Sequence, residues 1–238
     1  MIDIHCHILP GIDDGSTSWE MTAEMCRIAV ADGITHIVAT PHCDNTYTYD
    51  RERYTSMLGE LHDAADGRLN FSLGCDFHFS YDNIRDALEN PGRYAIGETQ
   101  YLLIEFSDYG LPPSVMQNVF ALRSVGLVPI ITHPERNQAL LKNPGMVLEL
   151  VERGCLVQVT ANAVTGAWGK NSERMVQWLL KRGAVHVIAS DAHDPIRRKP
   201  VMSEARDVVT ASCSAQIAEA LVQNNPAAIL ENRNLTST

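Results

Sequence analysis

The chain begins with M-I-D-I-H-C-H-I-L-P-G-I-D-D-G at residues 1–15. The short β-branched run at residues 2–5 predicts a buried strand. His5 and His7 are two residues apart on this extended segment, so both side chains can point toward one ion. Residues 16–31 then open with Ser and Thr capping candidates and place their apolar residues on one helical face. The stretch therefore predicts a βα unit with ligand-type side chains at the end of its strand.

The same alternation of strand and helix repeats along the chain. Short apolar runs predict seven strands, at residues 2–5, 34–40, 70–74, 101–106, 128–132, 156–160 and 185–190. Helical periodicity predicts helices at residues 16–31, 51–65, 114–125, 172–182 and 203–232, the last with a break near Asn225-Pro226. Seven βα units favour a closed or nearly closed α/β barrel over an open sheet. We expect one domain over residues 1–238, with the C-terminal helices at about residues 203–232 packed on the barrel.

Residues able to bind a metal stand at or just beyond the carboxyl end of six of these seven strands; the sixth strand offers only the neutral Asn162. In a barrel of βα units these ends converge on one face. The candidate ligands are His5, His7, Asp14, His42, Asp76, Glu105, His133, Asp191 and His193. Imidazole and carboxylate together suit zinc, manganese, iron or cobalt. Nine ligands are too many for one ion, so we predict two or three divalent ions that share bridging carboxylates.

Other polar and aromatic residues have simpler interpretations. Four histidines have no partner at ligand spacing and are interpreted as structural: His36, His62, His186 and His78, although His78 follows Asp76 by only two residues. Glu135 is expected to be structural or to pair with Arg136. Trp19 and Trp178 lie on predicted helical faces and are interpreted as core residues. The six scattered cysteines indicate reduced thiols of a cytoplasmic protein.

Two arginines follow the ligand residues. Arg136 comes three residues after His133, and Arg198 comes seven residues after Asp191. Guanidinium groups beside a metal site favour phosphate, whose oxygens they bind in a bidentate manner. Three divalent ions would carry about six positive charges against about four from the carboxylates, leaving a net charge that attracts a phosphate dianion. We therefore predict that both arginines bind phosphate.

Composition excludes several other classes. The formal net charge is −10 and there is no block of basic residues, so a nucleic-acid partner is disfavoured. No apolar run approaches the ~18 residues of a membrane helix, and the first residues lack a signal-peptide pattern. We expect a cytoplasmic protein that is not itself a membrane protein. The C-x5-R loop of cysteine phosphatases and the P-loop of nucleotide hydrolases are both absent from the sequence.

Five motifs in order resemble the polymerase-and-histidinol-phosphatase (PHP) superfamily, and more narrowly its bacterial tyrosine-protein phosphatases of capsule and exopolysaccharide synthesis. They are Asp3-Ile4-His5-Cys6-His7, Pro10-Gly11-Ile12-Asp13-Asp14-Gly15, Thr40-Pro41-His42, Thr132-His133-Pro134-Glu135-Arg136 and Ser190-Asp191-Ala192-His193. The resemblance implies a distorted (β/α)7 barrel with the active site at the carboxyl ends of the strands. It also implies a three-metal centre, with manganese first among the ions and iron, zinc, cobalt or magnesium as alternatives.

The resemblance also implies how the ligands divide. One ion would be held by His5, His7, Glu105 and Asp191; a second by Asp76, Glu105 and His133; and a third by Asp14, His42 and His193. Arg136 and Arg198 match the arginines that bind phosphate in the family. Asp76 is a departure, because such enzymes usually have a glutamate at the third strand.

The sequence therefore predicts a phosphoric monoester hydrolase, in which a metal-activated hydroxide attacks the phosphorus of phosphotyrosine. By resemblance, the substrate would be a membrane-associated tyrosine autokinase. A small-molecule phosphatase such as histidinol-phosphatase has the same ligand set and stays open as an alternative. An amidohydrolase would need a lysine on the fourth strand, where this chain offers Glu105. A metal-binding regulator without turnover is the alternative from another class.

Overall fold

The computed structural model describes residues 1–108 and 110–235; residue 109 and the last three residues of the predicted domain lie outside the described chain. In this part of the chain every predicted strand is present, and all strand pairs are parallel. The strands are β1 Ile2–Cys6, β2 His36–Ala39, β3 His42–Cys43, β4 Asn70–Leu73, β5 Asp76–His78, β6 Tyr101–Glu105, β7 Val128–Thr132, β8 Leu156–Thr160 and β9 Val187–Ala189.

The strands form a distorted barrel. One sheet has the order β1-β2-β4 and the other β3-β5-β6-β7-β8-β9. The two sheets are linked because β3 continues β2 and β5 continues β4 after short breaks. At the other boundary, Cys6 and Ala192 form a parallel bridge, and the Asp191 amide donates to the His5 carbonyl at 2.8 Å. This arrangement agrees with the predicted distorted (β/α)7 barrel.

The two strand breaks have local causes. Thr40-Pro41 separates β2 from β3, and proline cannot donate a ladder hydrogen bond. Gly74 opens the break between β4 and β5, where a Cβ would lie 3.1 Å from a side-chain carbon of Val38. Beyond the breaks, His42 and Asp76 are paired in register on β3 and β5. The predicted strands ended before these residues, so the sequence did not predict this pairing.

The helices lie between the strands and at the C-terminal end of the chain. Their bounds are α1 Trp19–Asp32, α2 Arg51–Ser56, α3 Leu58–Ala64, α4 Tyr81–Glu89, α5 Val115–Ser124, α6 Gln138–Lys142, α7 Gly145–Glu152, α8 Ala161–Val164, α9 Lys170–Leu180, α10 Ser203–Ser212, α11 Ala215–Glu219 and α12 Asn225–Leu230. A 3₁₀ turn spans Pro134–Arg136 and a π-helical turn spans Ala220–Asn224.

Two of the helix predictions need correction. The helix predicted for residues 203–232 has its break at the wrong place. Asn225, where the break was predicted, keeps helical dihedral angles of φ −68° and ψ −47°, whereas Cys213 leaves the helical conformation with φ −123° and ψ −87°. The next residue, Ser214, accepts a hydrogen bond from the Ile217 amide at 3.1 Å and starts α11 as its N-cap. The predicted helix at residues 51–65 is divided at Met57. Helix α4 was not predicted, although Ser80 caps it in the same way.

Apolar side chains fill the barrel from one end. A cluster of buried residues comes from alternate positions of the strands and includes Ile2, Ile4, Val38, Tyr101, Leu103, Ile130 and Val187. Alternate residues of a strand share a face, so this cluster is the barrel interior. Ile229 of α12 is part of it, and Asn225 donates to the His186 carbonyl at 2.8 Å. The apolar filling leaves the carboxyl ends of the strands for polar residues.

Within residues 1–108 and 110–235, no helix combines the length and apolar character needed to cross a membrane. The six cysteines all lie in the described part of the chain and form no disulfide there; five of them are buried and Cys213 is exposed.

Candidate metal centre

The strand ends bring the predicted ligands to one face of the barrel. His5 is in β1, and His42, Asp76 and Glu105 lie in β3, β5 and β6. His133 follows β7 directly, and Asp191 and His193 follow β9. Asp14 comes from the loop after β1. That loop can turn back tightly because Gly15 has no Cβ, and a Cβ there would collide with the His7 carbonyl oxygen.

Two of these residues have unusual backbone conformations. His133 has φ +31° and Asp191 has φ +53°. Residues other than glycine rarely adopt this region, and each such position costs roughly 1–3 kcal/mol. Strained backbone conformations are concentrated at functional sites, where they hold a side chain in a required position. Both positions carry predicted ligands, which agrees with a functional role for this face.

All nine predicted ligands take part in groups whose nitrogen and oxygen atoms lie within 4.8 Å of one another. The groups are His7, Asp14, His42 and His193; His5, His7 and Asp76; His5, His133 and Asp191; and His42, Asp76 and Glu105. They overlap, so the nine residues form one connected set, which we call the nine-residue cluster. Glu105 lies 3.7 Å from His42 and 3.5 Å from His133. The division of the nine ligands among individual ions stays a prediction.

The first two histidines are oriented by hydrogen bonds on their outer nitrogens. His5 Nδ1 lies 2.9 Å from Gln158 Oε1, and His7 Nδ1 lies 2.7 Å from Asp13 Oδ2. Both partners accept, so each neutral ring carries its proton on Nδ1 and presents a lone pair on Nε2. The two Nε2 atoms are only 3.2 Å apart. Facing lone pairs of this kind fit a shared cation, and the outer hydrogen bonds are those typical of ligating histidines.

The surroundings of Asp76 are a second indication that the cluster fits a metal ion. Its side chain is completely buried, and neither carboxylate oxygen has a hydrogen-bond partner among the described residues. The buried Nδ1 of His42, 3.3 Å away, also has none. Buried carboxylates are stable only when paired with donors or cations. The donor set around Asp76 therefore fits a divalent ion with nitrogen and oxygen ligands.

The pKa values of the cluster histidines also indicate a site for a cation. Burial alone would lower the pKa of His5, but Asp76 and Asp191 outweigh it and raise that pKa to about 9. Burial lowers the pKa of His133 to about 3, with Arg136 adding to the effect. The carboxylates thus favour a positive charge among them, while His133 is held neutral. A bound metal ion would supply that positive charge in place of the proton on His5, whose ring would then be neutral.

Asp191 connects the cluster to both predicted arginines. Its Oδ1 lies 3.5 Å from His5 Nε2, while its Oδ2 accepts hydrogen bonds from Arg136 and Arg198, each at 2.6 Å. The backbone after β9 turns back so that His193 N donates to the Arg198 carbonyl at 2.9 Å. This turn places Arg198 beside the cluster, whereas Arg197 is exposed. The two arginines lie where the sequence predicted them, at the edge of the metal-binding face.

The sequence profile of the family described as capsular polysaccharide synthesis, CpsB/CapC, matches residues 1–231. The chain belongs to this family. Tyrosine-protein phosphatase YwqE of Bacillus subtilis is 33% identical over 235 residues, which cover 94% of this chain and 89% of YwqE. Tyrosine-protein phosphatase CpsB of Streptococcus pneumoniae is 29% identical over 240 residues, covering 97% and 98%. The predicted resemblance to bacterial capsule-type phosphatases is confirmed.

Solved structures agree with this membership. A chain from the crystal structures of YwqE and CpsB, described as unique metal-dependent tyrosine phosphatases, matches with a TM-score of 0.94 and 31% identity. The match covers 100% of this chain and 97% of that one. Histidinol phosphate phosphatase of Lactococcus lactis shares the fold, with a TM-score of 0.61 and 10% identity over 90% of this chain and 95% of that one.

Sequence reasoning missed three residues around the site of this CpsB/CapC chain. Asp13 is part of the motif at residues 10–15 but is not among the predicted ligands, and no role is predicted for Gln158, although a polar side chain inside an apolar strand is a signal for such a role. Trp168 is 38% exposed, and its ring centre lies 5.4 Å from the Arg136 guanidinium carbon and 5.8 Å from that of Arg198. Its position between two glycines in a loop gave no such signal.

The residues interpreted as structural have other partners. His36 bonds Ser72 Oγ at 2.9 Å, His62 bonds the Leu69 carbonyl at 3.2 Å, and His186 accepts from the Val157 amide at 3.1 Å. Glu135 Oε1 accepts from the Thr160 amide and hydroxyl at 2.8 and 2.9 Å. His78 is closer to the cluster, with its Nδ1 3.8 Å from Glu105 Oε2.

Proposed function

We propose that this CpsB/CapC chain is a metal-dependent tyrosine-protein phosphatase of capsular polysaccharide synthesis. The observation that carries the proposal is Asp191, whose two oxygens face different partners. One faces the histidines of the nine-residue cluster, and the other holds both arginines. A phosphoryl group bound beside Asp191 would lie between the metal site and the two guanidinium groups. Family membership and the phosphatase names of the relatives support the same activity.

The nine-residue cluster would hold two or three divalent ions, manganese first, with iron, zinc, cobalt or magnesium as alternatives. Such ions supply an activated water at neutral pH and neutralise charge that develops on phosphoryl oxygens. His5 and His7 are held in the ligating tautomer by Gln158 and Asp13. Arg136 and Arg198 are the residues we assign to phosphate.

The arginines are suited to that task because Asp191 holds only one nitrogen of each. Arg136 uses Nη1 and Arg198 uses Nη2 toward Asp191 Oδ2, and the buried Nε of Arg198 has no partner among the described residues. A guanidinium has five N–H donors, so each arginine keeps donors for phosphoryl oxygens. The Asp191 contacts fix the direction of both groups before the substrate arrives. Preorganised donors of this kind stabilise charge in a transition state.

The substrate we propose is a phosphotyrosine protein, a membrane-associated tyrosine autokinase of the same capsule system, met in the cytoplasm. Because the pKa of a phenol is about 10, a phenolate leaves more readily than an alkoxide and demands less of a general acid. The residues to which we assign a role at the site are metal ligands and phosphate-binding arginines, and none of them is assigned as a general acid. An aryl phosphate is therefore the better chemical match.

The test is phosphate release from a phosphotyrosine peptide and from histidinol phosphate, on one preparation whose metal content is measured. We expect the peptide to be hydrolysed with the higher kcat/KM. A higher kcat/KM on histidinol phosphate would favour the small-molecule phosphatase instead. Release from neither substrate, with the ions bound, would favour the regulator without turnover.

A further inference from the structure

A groove leaves the arginine site and runs along α9. Its inner part is a cavity of about 240 Å³ lined by Asp108, Arg136, Gln138, Trp168 and Ser172. Its outer part is a cavity of about 640 Å³ whose walls include Gln138, Leu141, Lys142, Arg174, Met175 and Trp178. Gln138 lines both cavities, Asn171 lines the outer one and Ser172 lines the inner one, so the two cavities adjoin. We call the two cavities together the α9 groove.

The α9 wall of the groove is one face of a helix. Residues 171, 174, 175 and 178 all line the outer cavity, and this spacing places them on the same side. The seven steps from residue 171 to residue 178, at 1.5 Å each, make that wall about 10 Å long. An extended peptide covers roughly 3.3–3.6 Å per residue. An extended chain would therefore cross the α9 wall, past Arg174 to Trp178, in about three residues, so residues about three or four positions from the phosphotyrosine would lie on this wall.

The charge of the groove is positive in an acidic protein. Lys142 and Arg174 are exposed, and neither forms an ion pair with another described residue, whereas the nearby Glu173 is paired with Lys170 at 2.9 Å. Arg182 adds a third cation, with its guanidinium carbon 3.9 Å from the ring centre of Trp178. Asp108 is the one carboxylate among the lining residues, at the inner end. Since the chain has a net charge of −10, a local surplus of cations favours an acidic ligand.

The floor of the groove is apolar. Met175 is 5% exposed, and Leu141 and Trp178 are partly buried against the core. Trp178 therefore has both the core role that the sequence predicted and an edge that faces the groove. An apolar floor with polar and charged residues at the rim is the usual anatomy of a protein–protein interface.

We infer that the α9 groove binds the substrate polypeptide next to its phosphotyrosine and selects segments with Asp or Glu about three or four residues away. Trp168 would stand at the junction, because its ring lies against both arginines of the phosphate site. The inference rests on the proposed function, since a small phosphate ester has no flanking residues for the groove to bind.

The test uses the manganese-loaded full chain and three phosphates: 4-nitrophenyl phosphate, a phosphotyrosine peptide with acidic residues three and four positions away, and its counterpart with Gln there. Arg174→Glu and Lys142→Glu each reverse one exposed charge. We expect each to lower kcat/KM for the acidic peptide about threefold to tenfold, and to change the other two rates less than twofold. The loss should shrink at high salt, because exposed charges are screened.

Arg153→Glu is the matched control, with the same change in net charge. Arg153 is exposed and comes just before β8, at the end of the barrel opposite the metal-binding face. It should leave all three rates unchanged, and melting temperatures should show that every variant is folded.

Equal losses on all three phosphates, or no loss on the acidic peptide, would overturn the groove assignment while the phosphatase activity stands. A wild-type protein that hydrolyses none of the three would overturn the proposed function and the groove assignment with it.

Discussion

Asp3 and Asp76 are both completely buried in the barrel, but the regions around them differ. Asp3 lies where β1 meets β9 and accepts hydrogen bonds from the Ser190 amide at 3.0 Å, the Ser190 hydroxyl and the His5 amide at 3.3 Å. Asp76 lies where β3 meets β5, and its nearest polar neighbours are ring nitrogens of His42 and His5 at 3.3 and 3.4 Å. One carboxylate is surrounded by hydrogen-bond donors and the other by metal-ligand side chains.

The difference distinguishes a buried carboxylate with a structural role, Asp3, from one with a functional role, Asp76. Burial raises the pKa of Asp3 to about 6, against the hydrogen bonds from Ser190. Burial would also raise the pKa of Asp76, but His5 and His42 hold it well below its usual value. Asp3 links two strands through bonds that are complete within the protein. Asp76 keeps its negative charge and needs a cation as its partner. We therefore expect a metal ion to bind in the region around Asp76 and not around Asp3.

Asp76→Ala tests this contrast with the largest expected effect. We expect the metal content to fall by about one ion per chain and turnover to fall on the order of 10³, since metal ions contribute several kcal/mol to the transition state. Metal analysis and phosphate release on the same sample check both.

Asp3→Ala is the comparison for that variant. It should lower the free energy of unfolding by about 1–3 kcal/mol through unpaired Ser190 donors, while the folded protein keeps its metal. If the metal stoichiometry of Asp76→Ala is unchanged, Asp76 is not a metal ligand, and the distinction drawn between Asp3 and Asp76 is wrong.

The arginines come next in expected effect. Replacing either Arg136 or Arg198 with Ala should lower kcat about 10²–10³-fold, the usual loss for one oxyanion contact, while the metal content is unchanged. Lysine should restore only part of the rate, because a point charge lacks the bidentate fork. Steady-state kinetics with metal analysis measure both.

Arg197→Ala is the control, since Arg197 is exposed beside Arg198, and it should be nearly silent. If Arg197→Ala cripples the enzyme and Arg198→Ala does not, the assignment in this loop is wrong by one residue.

Gln158→Ala tests the layer behind the ligands and has the smallest expected effect. Gln158 fixes the tautomer of His5 from β8, and loss of such a partner typically weakens metal binding about 10–100-fold. Metal titration of the apo protein measures the change. Arg153→Ala is the control, because Arg153 comes just before β8 at the end of the strand away from the metal-binding face. This variant should bind metal with the affinity of the wild type. Equal affinities for Gln158→Ala and wild type would show that the His5 ring is held by other means.

The sequence allowed the seven strands and the nine-residue cluster to be predicted because both depend on local signals. Buried strands of a parallel barrel are short apolar runs, and their carboxyl ends meet on one face. His5, Asp191 and their partners could therefore be assigned to one site before any geometry was known.

Features that depend on tertiary contacts could not be predicted in this way. β3 and β5 have two and three residues, too few for a periodic signal, and they exist because they pair with each other. The roles of Gln158 and Trp168 depend on which strand or loop lies opposite them. The break at Cys213 is different, because Ser214 is a recognisable N-cap that the helical periodicity on either side obscured.

The most direct test of the account is a metal titration of the wild-type chain. The protein is stripped with a chelator, verified to be metal-free, and titrated with Mn²⁺ while phosphate release from a phosphotyrosine peptide and the melting temperature are followed. We predict no turnover without metal, recovery as two to three ions bind per chain, and a higher melting temperature with the ions, because binding relieves repulsion among the carboxylates. Full turnover in the verified metal-free protein would contradict the account.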